Sequence, residues 1–221
     1  MSYDGAVSPG SPAQQRDLSD VVIRKLAVGP MHNNVYLVSC VSTGAAVLID
    51  AAADWPAIAA MIGESNTRVQ AIVTTHRHGD HTGALVEAVR ELGAPTYAGD
   101  PDADALPVPV DVRLRDGDAV EVDGLTLSVA LVRGHTPGSV VLTYDDPAGH
   151  PHVFTGDTLF PGGVGATDHF DYQSFPQLID DVQERIFGRQ NDAAWVYPGH
   201  GDDTTVGAER AGLPEWRARG W

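Results

Sequence analysis

His76-Arg77-His78-Gly79-Asp80-His81 follows directly on the apolar run Ala71-Ile72-Val73-Thr74-Thr75 and precedes a stretch of helical composition that starts at Thr82. The apolar run reads as a buried strand, so the cluster sits at that strand's C-terminal edge. In an extended segment residues two apart project to the same side, which pairs the imidazoles of His76 and His78. Gly79 lets the chain turn, and Asp80 and His81 then point into the same pocket from the helix entrance. Three histidines and one aspartate in six residues supply enough nitrogen and oxygen donors to hold divalent metal. Capping the helix would take only one such residue, Asp80 or Thr82, and would leave the histidines unexplained.

A metal site draws ligands from several parts of a chain, and three further segments repeat the form of apolar strand, glycine, then ligand. Leu127-Ser128-Val129-Ala130-Leu131-Val132-Arg133-Gly134 leads to His135, His152-Val153-Phe154-Thr155-Gly156 to Asp157, and Ala194-Trp195-Val196-Tyr197-Pro198-Gly199 to His200. A glycine before each ligand lets backbone approach the site closely. The wider pattern supplies strands at Val21–Val28, Val35–Val41, Ala46–Asp50, Ala71–Thr75, Pro95–Ala98, Ala119–Val122, Leu125–Val132, Ser139–Tyr144, His152–Thr155 and Ala194–Tyr197. Helices are expected over Trp55–Ile62, with Asp54 as cap and Pro56 in the first turn, over Thr82–Leu92 and over Phe175–Phe187. Many strands and few helices imply an α/β (α+β) protein in which two packed sheets carry helices on their outer faces.

His76-x-His78-x-Asp80-His81 followed in order by His135, Asp157 and His200 resembles the metallo-β-lactamase superfamily, and the likeness spans residues 34 to 206. The resemblance implies a four-layer αββα sandwich with its site at one edge between the sheets. It assigns His76, His78 and His135 to a first divalent ion and Asp80, His81 and His200 to a second, with Asp157 bridging them. Asp50, in Leu48-Ile49-Asp50, matches the family's first-motif aspartate, which supports the site without ligating. Zinc is the expected metal, with iron or manganese as alternatives. Two ions about 3.5–4 Å apart lower the pKa of a shared water toward roughly 7, so hydroxide attack on a carbonyl carbon is the expected chemistry, with Asp80 and Asp157 as the catalytic carboxylates.

Thr155-Gly156-Asp157-Thr158-Leu159-Phe160 and Tyr197-Pro198-Gly199-His200-Gly201, with Asp203-Thr204-Thr205 trailing, are most similar to the glyoxalase II branch, whose members hydrolyse thioesters of small thiols. Two departures stand out. Only 21 residues follow His200, fewer than the helical domain with which longer members hold glutathione, and Ala166 stands where short members often carry arginine. His169 and Tyr172, in the loop after Ala166, are candidate substrate contacts. A small-molecule thioester of a thiol other than glutathione is therefore the expected substrate. Persulfide dioxygenases are the main alternative, with one iron on the counterparts of His76, His135 and Asp157. A lactonase fits less well, since Phe160 stands where lactonases often carry tyrosine, and a catalytically silent metal-binding domain is the non-enzymatic reading.

Composition narrows the setting. The 221 residues carry 30 acidic against 14 basic side chains, a net charge of −16, which disfavours a nucleic-acid partner because phosphate backbones are held by Lys and Arg. The single cysteine, Cys40, excludes an intramolecular disulfide and reads as a buried core residue. No run approaches the roughly 20 apolar residues of a membrane span, and residues 1–15 lack the pattern of a signal peptide. The expectation is a cytoplasmic protein with a flexible segment over residues 1–18 and one catalytic domain over 19–221. Lys25 is the sole lysine among thirteen arginines, which suggests a coding bias. His150 and His152 read as solvated loop residues, and the tail Leu213–Trp221 as packing on its own domain.

Overall fold

Short apolar stretches bounded by glycine, proline and aspartate become strands in the computed structural model, which describes residues 3–220. In chain order the elements are β1 (Gln14–Asp17), β2 (Val21–Val28), β3 (Asn33–Cys40), β4 (Ala45–Ile49), α1 (Trp55–Ser65), β5 (Arg68–Thr74), α2 (Leu85–Leu92), β6 (Thr96–Gly99), β7 (Val112–Leu114), β8 (Ala119–Val122), β9 (Leu125–Val132), β10 (Ser139–Tyr144), β11 (His152–Gly156), α3 (Phe175–Asp181), β12 (Trp195–Pro198), β13 (Thr204–Thr205), α4 (Val206–Arg210) and α5 (Leu213–Arg219). A π-helical stretch, Val182–Phe187, continues α3. One sheet orders its strands β1 to β7 in sequence, and the other runs β13-β12-β11-β10-β9-β8.

Three apolar layers account for this arrangement. β3 is buried throughout because both of its faces are covered: Tyr36 and Val38 meet Phe154, Tyr197, Leu127 and Leu142 of the other sheet, whereas Val35 and Leu37 meet Ile58 and Met61 of α1 and Leu85 and Ala88 of α2. Helices covering both outer faces explain why these strands read as continuous rather than alternating apolar runs. The outer face of the second sheet, through Val132, Val141, Val153 and Val196, packs on α3, its π-helical continuation and Trp216 of α5. The expected αββα order of layers is thus observed. Cys40 is buried and unpaired, and among the described residues no helix is long and apolar enough to cross a membrane.

Several expectations need correction. β7, β13 and α4 carry too few residues for periodicity to reveal them, and β1, wholly polar as Gln14-Gln15-Arg16-Asp17, has no apolar pattern to read; α5 lies in the tail read only as packing on its own domain. Asp54 occupies the N-cap of α1 but makes no side-chain cap bond there. His152 is fully buried, with Nδ1 2.8 Å from the Tyr197 hydroxyl, and burial holds its pKa down at about 3. His150 stacks on Trp195. Of the tail, Trp216 is buried and packs near Phe187, while Trp221 lies outside the described residues.

The segment read as flexible is built into the fold over its described part, residues 3–18. β1 pairs with β2, and Lys25 Nζ, wholly buried, donates to Gly5 O at 2.6 Å, Gly201 O at 2.7 Å and Asp203 Oδ1 at 2.6 Å. Those three bonds use every donor of the ammonium group. Asp203 also accepts from Tyr3 OH at 2.6 Å and Trp195 Nε1 at 2.9 Å. The single lysine therefore ties the N-terminal segment to the loop that follows His200, a placement that composition alone does not reveal.

Breaking a buried ion pair from one side strands a charge, at a cost of about 3–5 kcal/mol. Lys25→Met is accordingly expected to lower the free energy of unfolding by about that much, read from urea denaturation, and a loss below about 1 kcal/mol would show that the pair contributes no more than a surface one.

Candidate metal centre

The C-terminal ends of β5, β9, β11 and β12 lie along one edge of the sandwich and carry the four ligand-bearing turns. The two sheets are stitched there by backbone bonds, Val140 N to Thr75 O at 2.8 Å and Asn34 N to Gly199 O at 2.7 Å. Close approach at this edge depends on glycine. A Cβ at Gly199 would collide with the Asp157 carboxylate and come within 2.7 Å of the His81 ring, and one at Gly165 would collide with Asp157 O and come within 2.8 Å of His135 Nδ1.

All seven predicted ligands meet at this edge. His76, His78 and His135 form one group of potential ligand atoms, Asp80, His81 and His200 a second, and His76, His81 and Asp157 a third that joins them, each with its atoms within 4.8 Å of one another. Asp157 stands between the first two groups, with Oδ1 3.3 Å from His81 Nε2 and Oδ2 3.6 Å from His135 Nε2 and 3.4 Å from His200 Nε2.

Each of the five imidazoles is held through one ring nitrogen by a group outside the ligand set, which turns the other toward the cluster. His81 Nδ1 lies 2.9 Å from Asp50 Oδ2, His135 Nδ1 2.8 Å from Ala166 O, and His200 Nδ1 2.9 Å from Met31 O. His76 Nδ1 lies 3.0 Å from Thr75 Oγ1, which in turn donates to Asp50 Oδ2 at 2.7 Å. His78 Nε2 lies 2.9 Å from the Tyr172 hydroxyl. Partners of this kind fix the tautomer and orientation of metal-ligating histidines.

The free atoms fit a metal. His76 Nε2, His135 Nε2 and Asp157 Oδ1 are buried and have no hydrogen-bond partner among the described residues. Polar atoms left in that state cost free energy, and a cation is the partner that would satisfy two imidazole nitrogens and a carboxylate oxygen together.

The electrostatics divide the cluster. Burial, with the neighbouring histidines, pushes His76 well below its ordinary pKa and His78 down to about 4, and burial also lowers His135. In all three the shift favours the neutral form, the one that ligates. His81 is raised: burial opposes its charge, but Asp157 and Asp50 outweigh burial. His200 is raised to about 10, where Asp157 and Asp80 likewise overcome burial. Asp80 and Asp157 fall below the usual carboxylate range despite their burial, through His200 and His81. Without metal, the second group therefore shares protons that a cation would displace.

Other residues also reach the site. Asn33 Nδ2 donates to Asp80 Oδ2 at 2.8 Å. Asn34 Nδ2 donates to Pro198 O and Gly201 O, and Tyr36 OH to Pro198 O, which props the loop carrying His200. Asp102, buried, accepts from Thr136 Oγ1 at 2.6 Å and from Arg77 N at 3.2 Å. Of the two predicted substrate contacts, Tyr172 touches His78, whereas His169 is exposed with Nδ1 3.5 Å from Asp168.

A family profile, a curated relative and two solved structures are similar to this chain. The family profile described as "Metallo-beta-lactamase superfamily" matches residues 28–200. A curated relative from Synechococcus sp., named hydroxyacylglutathione hydrolase, is 34% identical over 69% of this chain, and the match spans only 58% of that relative's own length. The crystal structure of ETHE1 from Myxococcus xanthus superposes with a TM-score of 0.77 at 29% identity, covering 87% of this chain and 83% of that one. TTHA1623 in a di-iron-bound form superposes with a TM-score of 0.71 at 30% identity, covering 84% and 96%.

Asp50 holds Thr75 N at 2.7 Å as well as His81 and the Thr75 hydroxyl, from a backbone φ of 57° that asparagine also tolerates. Asp50→Asn is expected to weaken metal binding about 10–100-fold, measured by competition with a chromophoric chelator. Unchanged affinity would mean that His81 does not depend on this carboxylate.

Proposed function

The chain belongs to the metallo-beta-lactamase superfamily, and from that membership we propose a metal-dependent hydrolase that cleaves a small acyl thioester of a low-molecular-weight thiol. The observation that carries the reading is the completeness of the ligand set: two groups of three donors, with Asp157 between them. A site for one structural ion needs four ligands, and seven converge here. In this reading His76, His78 and His135 would hold one divalent ion and Asp80, His81 and His200 the other, with Asp157 available to both groups. The donor set suits zinc, and the di-iron form of TTHA1623 keeps iron in view.

Bound there, a pair of divalent ions supplies a water acidic enough to serve as nucleophile near neutral pH. The protein's own groups do the rest. Asp80, held at Oδ2 by Asn33, offers its carboxylate as acceptor for the proton of that water and so orients it toward the thioester carbonyl. Asp157, braced by His81 and His200, keeps the two ligand groups in register. The departing thiolate is stable enough near neutral pH to leave without a proton from the protein, which matches a site whose titratable groups are committed to one another.

The thioester assignment draws on the hydroxyacylglutathione hydrolase relative and on Thr155–Phe160 and Tyr197–Gly201 as they stand in this chain. A second reading, one iron on His76, His135 and Asp157 in a persulfide dioxygenase, draws on the likeness to ETHE1. It also has the two-histidine, one-carboxylate composition suited to ferrous oxygen chemistry.

Chelation is expected to abolish acyl-thioester hydrolysis, and added divalent metal to restore it. Asp157→Ala is expected to lower kcat/KM by more than about a hundredfold, beyond the effect typical of outer-shell partners. Oxygen consumption on a persulfide with one iron per chain, and no thioester cleavage, would replace the hydrolase with the second reading.

A further inference from the structure

The loop over residues 166–173 is a built wall of the site. Gln173 Nε2 donates to His135 O at 3.0 Å and Ala166 O at 3.1 Å, while Gln173 Oε1 accepts from His169 N at 2.8 Å and Phe170 N at 3.1 Å. One side chain thus clamps the loop to a predicted ligand. The clamp displays two aromatic rings. Phe170 and Tyr172 stack in parallel, with centroids 5.1 Å apart and planes 7° apart. Phe170 also stacks on His78 at 5.3 Å, and the Arg77 guanidinium lies 4.0 Å from the Tyr172 ring centre.

Despite these contacts the pair stays open to solvent, with Phe170 52% and Tyr172 37% exposed. Six large apolar side chains are exposed among the described residues, and three of them border this site. The third is Met31, 59% exposed, whose carbonyl meets His200. A concentration of that kind at a site mouth marks a binding surface rather than ordinary scatter.

The loop that carries the rings has only acidic charges of its own. Phe160 to Glu184 contains no lysine or arginine, and Asp168 and Asp171 flank Phe170 within the loop. Cations adjoining the predicted ligands are engaged: Arg77 stacks on Tyr172 and faces Asp102, Arg133 pairs with Asp181 through Nε and Nη2, and Lys25 is committed to Gly5, Gly201 and Asp203. Asp168 and Asp171 therefore disfavour an anionic group seated on the loop side of the rings.

We propose that Phe170 and Tyr172 seat the thiol half of the substrate, and that this half is uncharged with an apolar, ring-sized face rather than polyanionic. This rests on the thioesterase reading above. Tyr172 holds the seat against His78, and Phe170 supplies the open face.

The test compares three acetyl thioesters, those of benzyl mercaptan, N-acetylcysteamine and glutathione, with calorimetric titration of the matching methyl thioethers. The benzyl thioester is expected to exceed the glutathione thioester in kcat/KM by at least about tenfold. Phe170→Ala is expected to lower the benzyl to N-acetylcysteamine ratio about five-fold, the scale of one aromatic stack, mainly through KM. Asp168→Asn with Asp171→Asn is expected to raise turnover of the glutathione thioester at low ionic strength. A preference for the glutathione thioester, or an unchanged ratio in the circular-dichroism-checked Phe170→Ala variant, would overturn the proposal and leave the hydrolase standing. Cleavage of none of the three would remove the thioesterase reading. The thioethers still test the seat, which is upheld by tighter binding of the benzyl compound that Phe170→Ala weakens and overturned by equal binding of all three.

Discussion

Everything at this edge of the sandwich depends on one arrangement: five imidazoles, each pinned through one nitrogen so that the other faces a shared space. Asp50, Thr75, Ala166, Met31 and Tyr172 supply the pins. They come from different parts of the chain, so the site exists only when both sheets and their loops are assembled. Bringing so many polar groups out of water is costly unless each is paired. His76 Nε2, His135 Nε2 and Asp157 Oδ1 have no protein partner among the described residues, and that concentrated debt is what a divalent cation would cancel. The arrangement makes folding and metal binding mutually supporting, because an ion that binds only the folded chain adds its binding free energy to stability.

How much of this is legible in the sequence follows from the range over which each signal acts. The His76–His81 cluster is local, and its position after an apolar strand reads directly, as do the similar positions of His135, Asp157 and His200. β2, β8, β9 and β10 are long or regular enough that their expected bounds coincide with those observed. β1 and β13 are stabilised by pairing with distant strands, β2 and β12, and carry no periodicity of their own. Lys25 looks like a compositional oddity until Gly5, Gly201 and Asp203 surround it. Asn33 and Asp102 are likewise ordinary polar residues in sequence, and only tertiary structure sets them against Asp80 and Arg77. His150 and His152 mislead for the converse reason: Pro151 between them suggests an exposed turn, yet Tyr197 and Trp195 enclose them.

The N-terminal segment and the substrate loop illustrate two uses of the same scaffold. Lys25 and Asp203 anchor residues around Gly5 to the turn after His200, so a segment remote in sequence helps to fix one ligand. Gln173 does the same for His135 while leaving Phe170 and Tyr172 outward. Rigid strands set the ligand positions and the loops that follow them face the substrate, a division that lets one fold serve many reactions. The acidic, aromatic character of residues 168–172 is the part of this scaffold to which we assign substrate choice.

The central claim, a two-ion centre made by these seven side chains, is tested most directly by anomalous diffraction at the absorption edge of the bound metal. The account predicts two peaks per chain, one among His76, His78 and His135 and one among Asp80, His81 and His200, with Asp157 in contact with both. A single peak, or peaks away from these residues, would contradict it.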